Sequence, residues 1–209
     1  MPSSTNSPVK PGPPDTTERQ TRELVLSAAS GSTLAFHRLA DLHQPAVFRM
    51  IFHRVQSRMD AEDLAQDVFL KAYRHLHKLK TPDRFRSWIF SIALNRIRDY
   101  YRQQRLRRFL GLGDTDASDS DPNRIDPTAP NGFSELGRRE FWDLVAVILK
   151  KMSGTEREVF RLRFIDQQGL AEIAHILNKG ESTVKTHLYR AIAKFKAHPA
   201  SSRLKDVLP

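Results

Sequence analysis

The chain has 209 residues, a formal charge of +10 and no cysteine. That length allows one domain or two small ones. The absence of cysteine excludes disulfides and thiolate metal centres, and the basic excess favours an anionic partner such as nucleic acid.

The first segment, 1–17, is rich in Pro, Ser and Thr and is expected to be disordered. It lacks the apolar core of a secretory signal, and no apolar run approaches a membrane span, so an intracellular protein is expected. Leu24 to Ala29 and Leu34 to Val55 carry helical patterns, with a bend expected at Pro45. The stretch from Asp60 to Leu79 follows. There Leu64, Val68, Ala72 and Leu76 recur at steps of four and should face a core, while Glu62, Asp63, Gln66 and Asp67 gather on the other side. Acids in a first turn are favoured by the helix dipole alone, but Gln66 and Asp67 lie a turn later. A compact acidic patch on a basic chain suits docking on a basic protein surface.

Arg84 to Arg108 reads as one helix. Phe85, Trp88, Ile89, Ile92, Ala93, Tyr100 and Tyr101 make its apolar stripe, and eight arginines share the span with one acid, Asp99. Rings interleaved with fixed positive charge suit a polyanion whose bases stack. Lys78, Lys80, Thr81 and Arg84 fall at the junction before it, broken by Pro82. Asn95, Arg98 and Arg102 take the polar side of the helix.

Residues 111–137 hold six acids, one arginine, three prolines and four glycines, which is a linker composition. Beyond it Phe141, Leu144, Val145, Ile148, Leu149 and Met152 form a stripe. Thr155-Glu156-Arg157-Glu158 fits a capping box opening the next helix, whose apolar positions include Val159, Leu162 and Ile165. From Gly169 to Lys196 the pattern is a short helix through Leu177, a turn at Asn178-Lys179-Gly180, and a second helix from Glu181. Val184, Leu188, Ala191, Ile192 and Phe195 form that helix's buried stripe. Ser182, Thr183, Thr186, Tyr189 and Arg190 lie opposite, flanked by Lys185 and His187. This is the helix-turn-helix arrangement, in which Arg190 is suited to read a guanine and Lys185 to hold a phosphate.

His187 and Arg190 have the His-x-x-Arg spacing of tyrosine recombinases, but the chain is short for that domain. His75 and His77 point to different helix faces and have no third ligand. No glycine-rich phosphate loop or nucleophile–base pair is present, so no catalysis and no cofactor is expected.

DAEDLAQDVFLKAYRHL followed by FRSWIFSIALNRIRDYYRQ resembles the second conserved region of bacterial sigma factors. MSGTEREVFRLRFIDQQGLAEIAHILNKGESTVKTHLYRA resembles their fourth. With only these two regions and a short linker, the chain is similar to the extracytoplasmic-function branch. The resemblance implies an all-α fold of two small helical domains joined by a flexible acidic linker, the second domain containing a helix-turn-helix. It divides the chain into 1–17, a region-two lobe at 18–110, the linker at 111–137, a region-four lobe at 138–198 and a tail at 199–209.

It also implies roles. Asp63, Gln66 and Asp67 would dock on the clamp helices of the largest subunit of core RNA polymerase. Lys80, Arg84, Asn95, Arg98 and Arg102 would open and hold the −10 element as a single strand. Ser182, Lys185, Thr186, His187, Tyr189 and Arg190 would read the −35 duplex. An anti-sigma factor is a common partner in the family, and the expected location is the bacterial cytoplasm. The alternative is a helix-turn-helix regulator that binds duplex DNA without polymerase. The chain departs from the family at three points. Gln168-Gly169-Leu170 stands where many relatives have Leu-Ser-Tyr, Asn178-Lys179 replaces Gly-Ile, and Leu94 replaces the arginine before Asn95.

Overall fold

The computed structural model describes residues 16–110 and 135–199, so the linker expected over 111–137 lies largely outside the described residues, as do most of 1–17 and 199–209. Eight α-helices are present among the described residues, with no strand. They are α1 (Thr16–Ala29), α2 (Thr33–Val55), α3 (Arg58–His75), α4 (Phe85–Phe109), α5 (Glu135–Lys150), α6 (Gly154–Phe160), α7 (Leu170–Leu177) and α8 (Glu181–Ala197). Helix α1 starts eight residues before its apolar positions, because TTERQTRE is polar and shows no stripe; only Thr21 and Val25 there reach the buried class. Helix α5 begins inside the expected linker, at Glu135.

The junctions follow from local chemistry. Gly31 turns the chain between α1 and α2 with φ +102°, a conformation that an L side chain resists. The Ser32 hydroxyl then accepts from the Ala35 amide at 3.2 Å and caps α2. Helix α2 runs through Pro45 as one element; the ring removes one amide donor without ending the helix. Gln56 closes it in the left-handed region, and Ser57 caps α3. Two 3-10 turns, Leu76–Lys78 and Pro82–Arg84, replace the helix expected to continue through Leu79. The capping box of α6 is built two residues earlier than the sequence suggested. Ser153, not Thr155, is the cap: its hydroxyl accepts from Glu156 N, and the Glu156 carboxylate accepts from Ser153 N at 2.8 Å. Thr155 loses because the helix already starts at Gly154.

Leu64, Val68, Ala72 and Leu76 are buried as expected, and they pack with Phe85, Ile89, Ile92 and Ala93 of α4. Val145, Ile148 and Leu149 of α5 form a smaller core with Met152, Phe160, Ala191 and Phe195. The sequence did not signal that the two lobes meet. Helix α7 packs along α4, and Val159, Leu162, Ile173, Ile176 and Val184 join the core of α1–α4. Leu94 shows why. It lies about 140° round α4 from Ile89, away from the stripe that faces α3, yet it is only 2% exposed. An arginine at that position would bring a charge into the shared apolar core.

Candidate nucleic-acid interface

The acidic face of α3 is open. Glu62, Asp63 and Gln66 are exposed, and Glu62 accepts from Arg58 at 2.9 Å. Asp67 is half exposed and pairs with Arg96 of α4, so it also ties the two helices together. Beside Gln66 runs an apolar groove of about 530 Å3 between α2 and α3, lined by Phe36, Ala40, Phe69, Leu70 and Tyr73 among others. Leu70 and Tyr73 stand off the core stripe, half exposed. Their position off the period of four is the signal of this groove in the sequence.

Helix α4 gathers the expected strand-binding residues. Arg84 sits at its N-cap, and Asn95, Arg98 and Arg102 follow; all four are exposed. At 100° per residue they fall within an arc of about 60°, along about 27 Å of helix. Asn95 Oδ1 accepts from the Arg98 guanidinium at 3.1 Å, which turns the amide N–H groups outward as donors. Asp99 pairs with Arg102 at 3.0 Å on the exposed surface and removes part of its charge. Lys80 is exposed in the loop between the 3-10 turns. The aromatic residues hold the helix from behind. Tyr100 donates to Asp60 of α3 at 2.8 Å, and Phe85 lies against His43 of α2 with ring centroids 5.1 Å apart. Trp88 is half buried and packs against the core.

The strip borders the second lobe. His175 of α7 is held below its ordinary pKa, first by burial and then by the charge of Arg84. Burial pushes the Glu158 carboxyl of α6 up, but Arg54 first, and then Arg161 and Arg98, hold it below its ordinary pKa.

In the second lobe, Gly169 caps α7 without a side chain; Glu172 supplies half of the box by accepting from Gly169 N at 2.7 Å. Asn178 takes the left-handed conformation at φ 50°, ψ 53°, as its residue type suggested, and α8 starts after Gly180. Val184, Ala191 and Phe195 are buried. Ser182, Lys185, Thr186, Tyr189 and Arg190 are exposed, Tyr189 at 72%. His187 is half buried at the margin, and its Nδ1 has no partner among the described residues. Lys194 on α8 reaches back to Glu156 at 2.5 Å, fixing α8 against the start of α6. That contact and the capping bond hold the Glu156 carboxyl down at about 2.

The structure thus presents a polar, partly basic face on α8 and a separate arginine–asparagine strip on α4. No group of three or more metal-ligating side chains occurs among the described residues. No helix among them is long and apolar enough to cross a membrane.

The comparisons agree with this division. Residues 39–107 match the model of Sigma-70 region 2, and 143–195 match that of Sigma-70, region 4. The RNA polymerase sigma factor CnrH of Cupriavidus metallidurans is 34% identical over 181 residues, covering 84% of this chain and 92% of that protein. The ECF RNA polymerase sigma factor BldN of Streptomyces coelicolor is 30% identical over 180 residues, covering 85% of this chain but only 65% of BldN. A solved structure of CnrH in complex with the cytosolic domain of CnrY aligns with TM-score 0.61 and 29% identity, over 90% of this chain and 97% of that one. Two helical lobes, the order of their motifs and these relatives place the protein in one family: the chain belongs to the extracytoplasmic-function sigma factors of RNA polymerase.

Proposed function

We propose that the sigma-factor activity of this chain is divided over three surfaces. Asp63, Gln66 and Asp67, with the Leu70–Tyr73 groove beside them, dock on the clamp helices of the largest polymerase subunit. Lys80, Arg84, Asn95, Arg98 and Arg102 take one strand of the −10 element. Ser182, Lys185, Thr186, Tyr189 and Arg190 read the −35 duplex, with His187 at the edge of the contact. The two lobes correspond to 18–110 and 138–198, and the chain acts in the cytoplasm. An anti-sigma factor that competes for the first lobe is the expected antagonist; the CnrH structure described above was solved with CnrY.

The observation that carries this reading is the alignment of Arg84, Asn95, Arg98 and Arg102 on one exposed face of α4. Guanidinium groups along 27 Å can follow phosphates, while an amide with free donors can bond a base edge. A regulator of duplex DNA needs only α8 and has no use for that strip. The remaining mechanism is energetic: contacts to α8 anchor the closed promoter, and bases captured on α4 offset the unstacking cost of opening.

The test separates the two DNA surfaces. Arg190→Ala should weaken binding of the holoenzyme to closed promoter, by on the order of 1–3 kcal/mol if the contact is bidentate. Asn95→Ala should leave closed binding intact and slow opening, with the defect shrinking on a template already unpaired across −10. Equal loss of duplex binding in both variants, with no rescue on the unpaired template, would overturn the assignment.

A further inference from the structure

Helix α4 outruns its support. Its buried residues end at Ile97, and the stretch from Arg98 to Phe109, about three turns, buries none. Leu106, Phe109 and Leu110 are exposed on this projecting end. Phe109, at 86%, is the most exposed large hydrophobic side chain among the described residues. Such a ring in water is unfavourable, and nothing in the packing of either core requires it there.

The ring lies on the face that carries the strip. At 100° per residue, Phe109 falls inside the arc of about 60° that holds Arg84, Asn95, Arg98 and Arg102. Leu106 and Arg105 fall about 20° beyond the two edges of that arc. Along the axis, Phe109 stands about 10 Å past Arg102 and about 21 Å past Asn95. It also lies just past the segment 39–107 that matches region 2, so it adds to the strip and is not part of it.

The surrounding charge selects the occupant. Arg102, Arg105, Arg107 and Arg108 share this end with no acid after Asp99. Arg102 is paired with Asp99, and Arg108 donates to Gln104 at 3.3 Å. Arg105 is exposed beside the ring. A protein surface that covered Phe109 would have to desolvate or pair these guanidinium groups. A nucleotide answers both features at once, with a phosphate for the guanidinium and a base for the ring. Only an unpaired base offers its face. We propose that Phe109 is a stacking platform for one further base of the single strand held on α4, with Arg105 on the adjacent phosphate. At the stacked spacing of about 3.4 Å, that base is no more than about six nucleotides from the one at Asn95. The inference rests on the assignment of the α4 strip to the single-stranded −10 element.

The test uses holoenzyme reconstituted from core polymerase and the full chain. The probe is the fluorescently labelled nontemplate strand of a promoter mapped by run-off transcription with this factor. Phe109→Ala should weaken capture of this strand by on the order of tenfold, the loss of one stacked base, and leave closed duplex binding unchanged. Phe109→Trp should retain capture. Phe109→Leu should lose it, since leucine keeps the apolar surface but has no ring. Bases removed one at a time identify the partner. One abasic position, within about six nucleotides of the base at Asn95, should cost the parent the same tenfold and cost Phe109→Ala nothing. Arg105→Gln should lower the log–log salt dependence of capture by about 0.7. Unchanged capture in Phe109→Ala, or full capture by Phe109→Leu, would overturn the platform. So would a weaker affinity of Phe109→Ala for core polymerase, which would make the ring a protein contact. A normal Phe109→Ala beside the expected Asn95→Ala defect confines the failure to the platform. Absence of both effects places it in the assignment of α4.

Discussion

Acid should loosen the seat of α4 through one histidine. His43 of α2 is 7% exposed, shares a hydrogen bond of 3.3 Å between its Nε2 and the Thr21 hydroxyl of α1, and lies against Phe85. Burial first, and the charge of Arg86 second, lower its pKa from 6.5 to about 4. The folded protein therefore favours the neutral ring. Because the folded pKa lies below the unfolded one, the stabilisation is fully present above pH 6.5 and is lost as pH falls towards 4. The complete shift corresponds to about 3 kcal/mol, of which about 2.5 kcal/mol is gone by pH 4.5. That is a large share of the total stability of a typical domain, about 5–15 kcal/mol. Urea denaturation followed by circular dichroism between pH 7.5 and 4.5, on the parent and on His43→Gln, isolates the effect. Other histidines titrate in both proteins, so the quantity to read is the difference between the two stabilities. It should narrow by about 2 kcal/mol or more over that range. A difference that stays flat with pH would refute the argument.

Two further outcomes follow from the geometry. Asp63→Lys should weaken binding to core polymerase without altering the melting temperature, since Asp63 is exposed and, unlike Asp67, has no ion pair to α4; an unchanged affinity in a competition assay would remove α3 from the docking surface. Gly31→Ala should lower stability by about 1 kcal/mol, measured in urea, although open space surrounds the position, because the penalty comes from φ +102° alone.

The helices that carry one clear stripe were legible in the sequence. The face of α8, the αL turn at Asn178 and the arginine side of α4 could all be read from spacing, because one periodicity decided each. The misses share a different cause. Thr16–Glu23 lacks a stripe, so the first half of α1 stayed hidden. Arg54 carries no signal in the spacing, since the Glu158 and Asp166 carboxylates to which it donates lie 104 and 112 residues further on. Leu94 stands where the resemblance expects an arginine, and only its burial shows that the position belongs to the core. Spacing points to Thr155 where Ser153 is the cap, because two overlapping Ser/Thr-x-x-Glu patterns compete and spacing alone cannot rank them.

The shared core has a consequence for unfolding. Val159, Leu162, Ile173, Ile176 and Val184 are buried with residues of α1–α4 and not only among themselves. When either lobe comes apart, the other is left with bare apolar surface, and that exposure is unfavourable. The two lobes should therefore melt in one cooperative transition, and a core substitution in either should lower the stability of both.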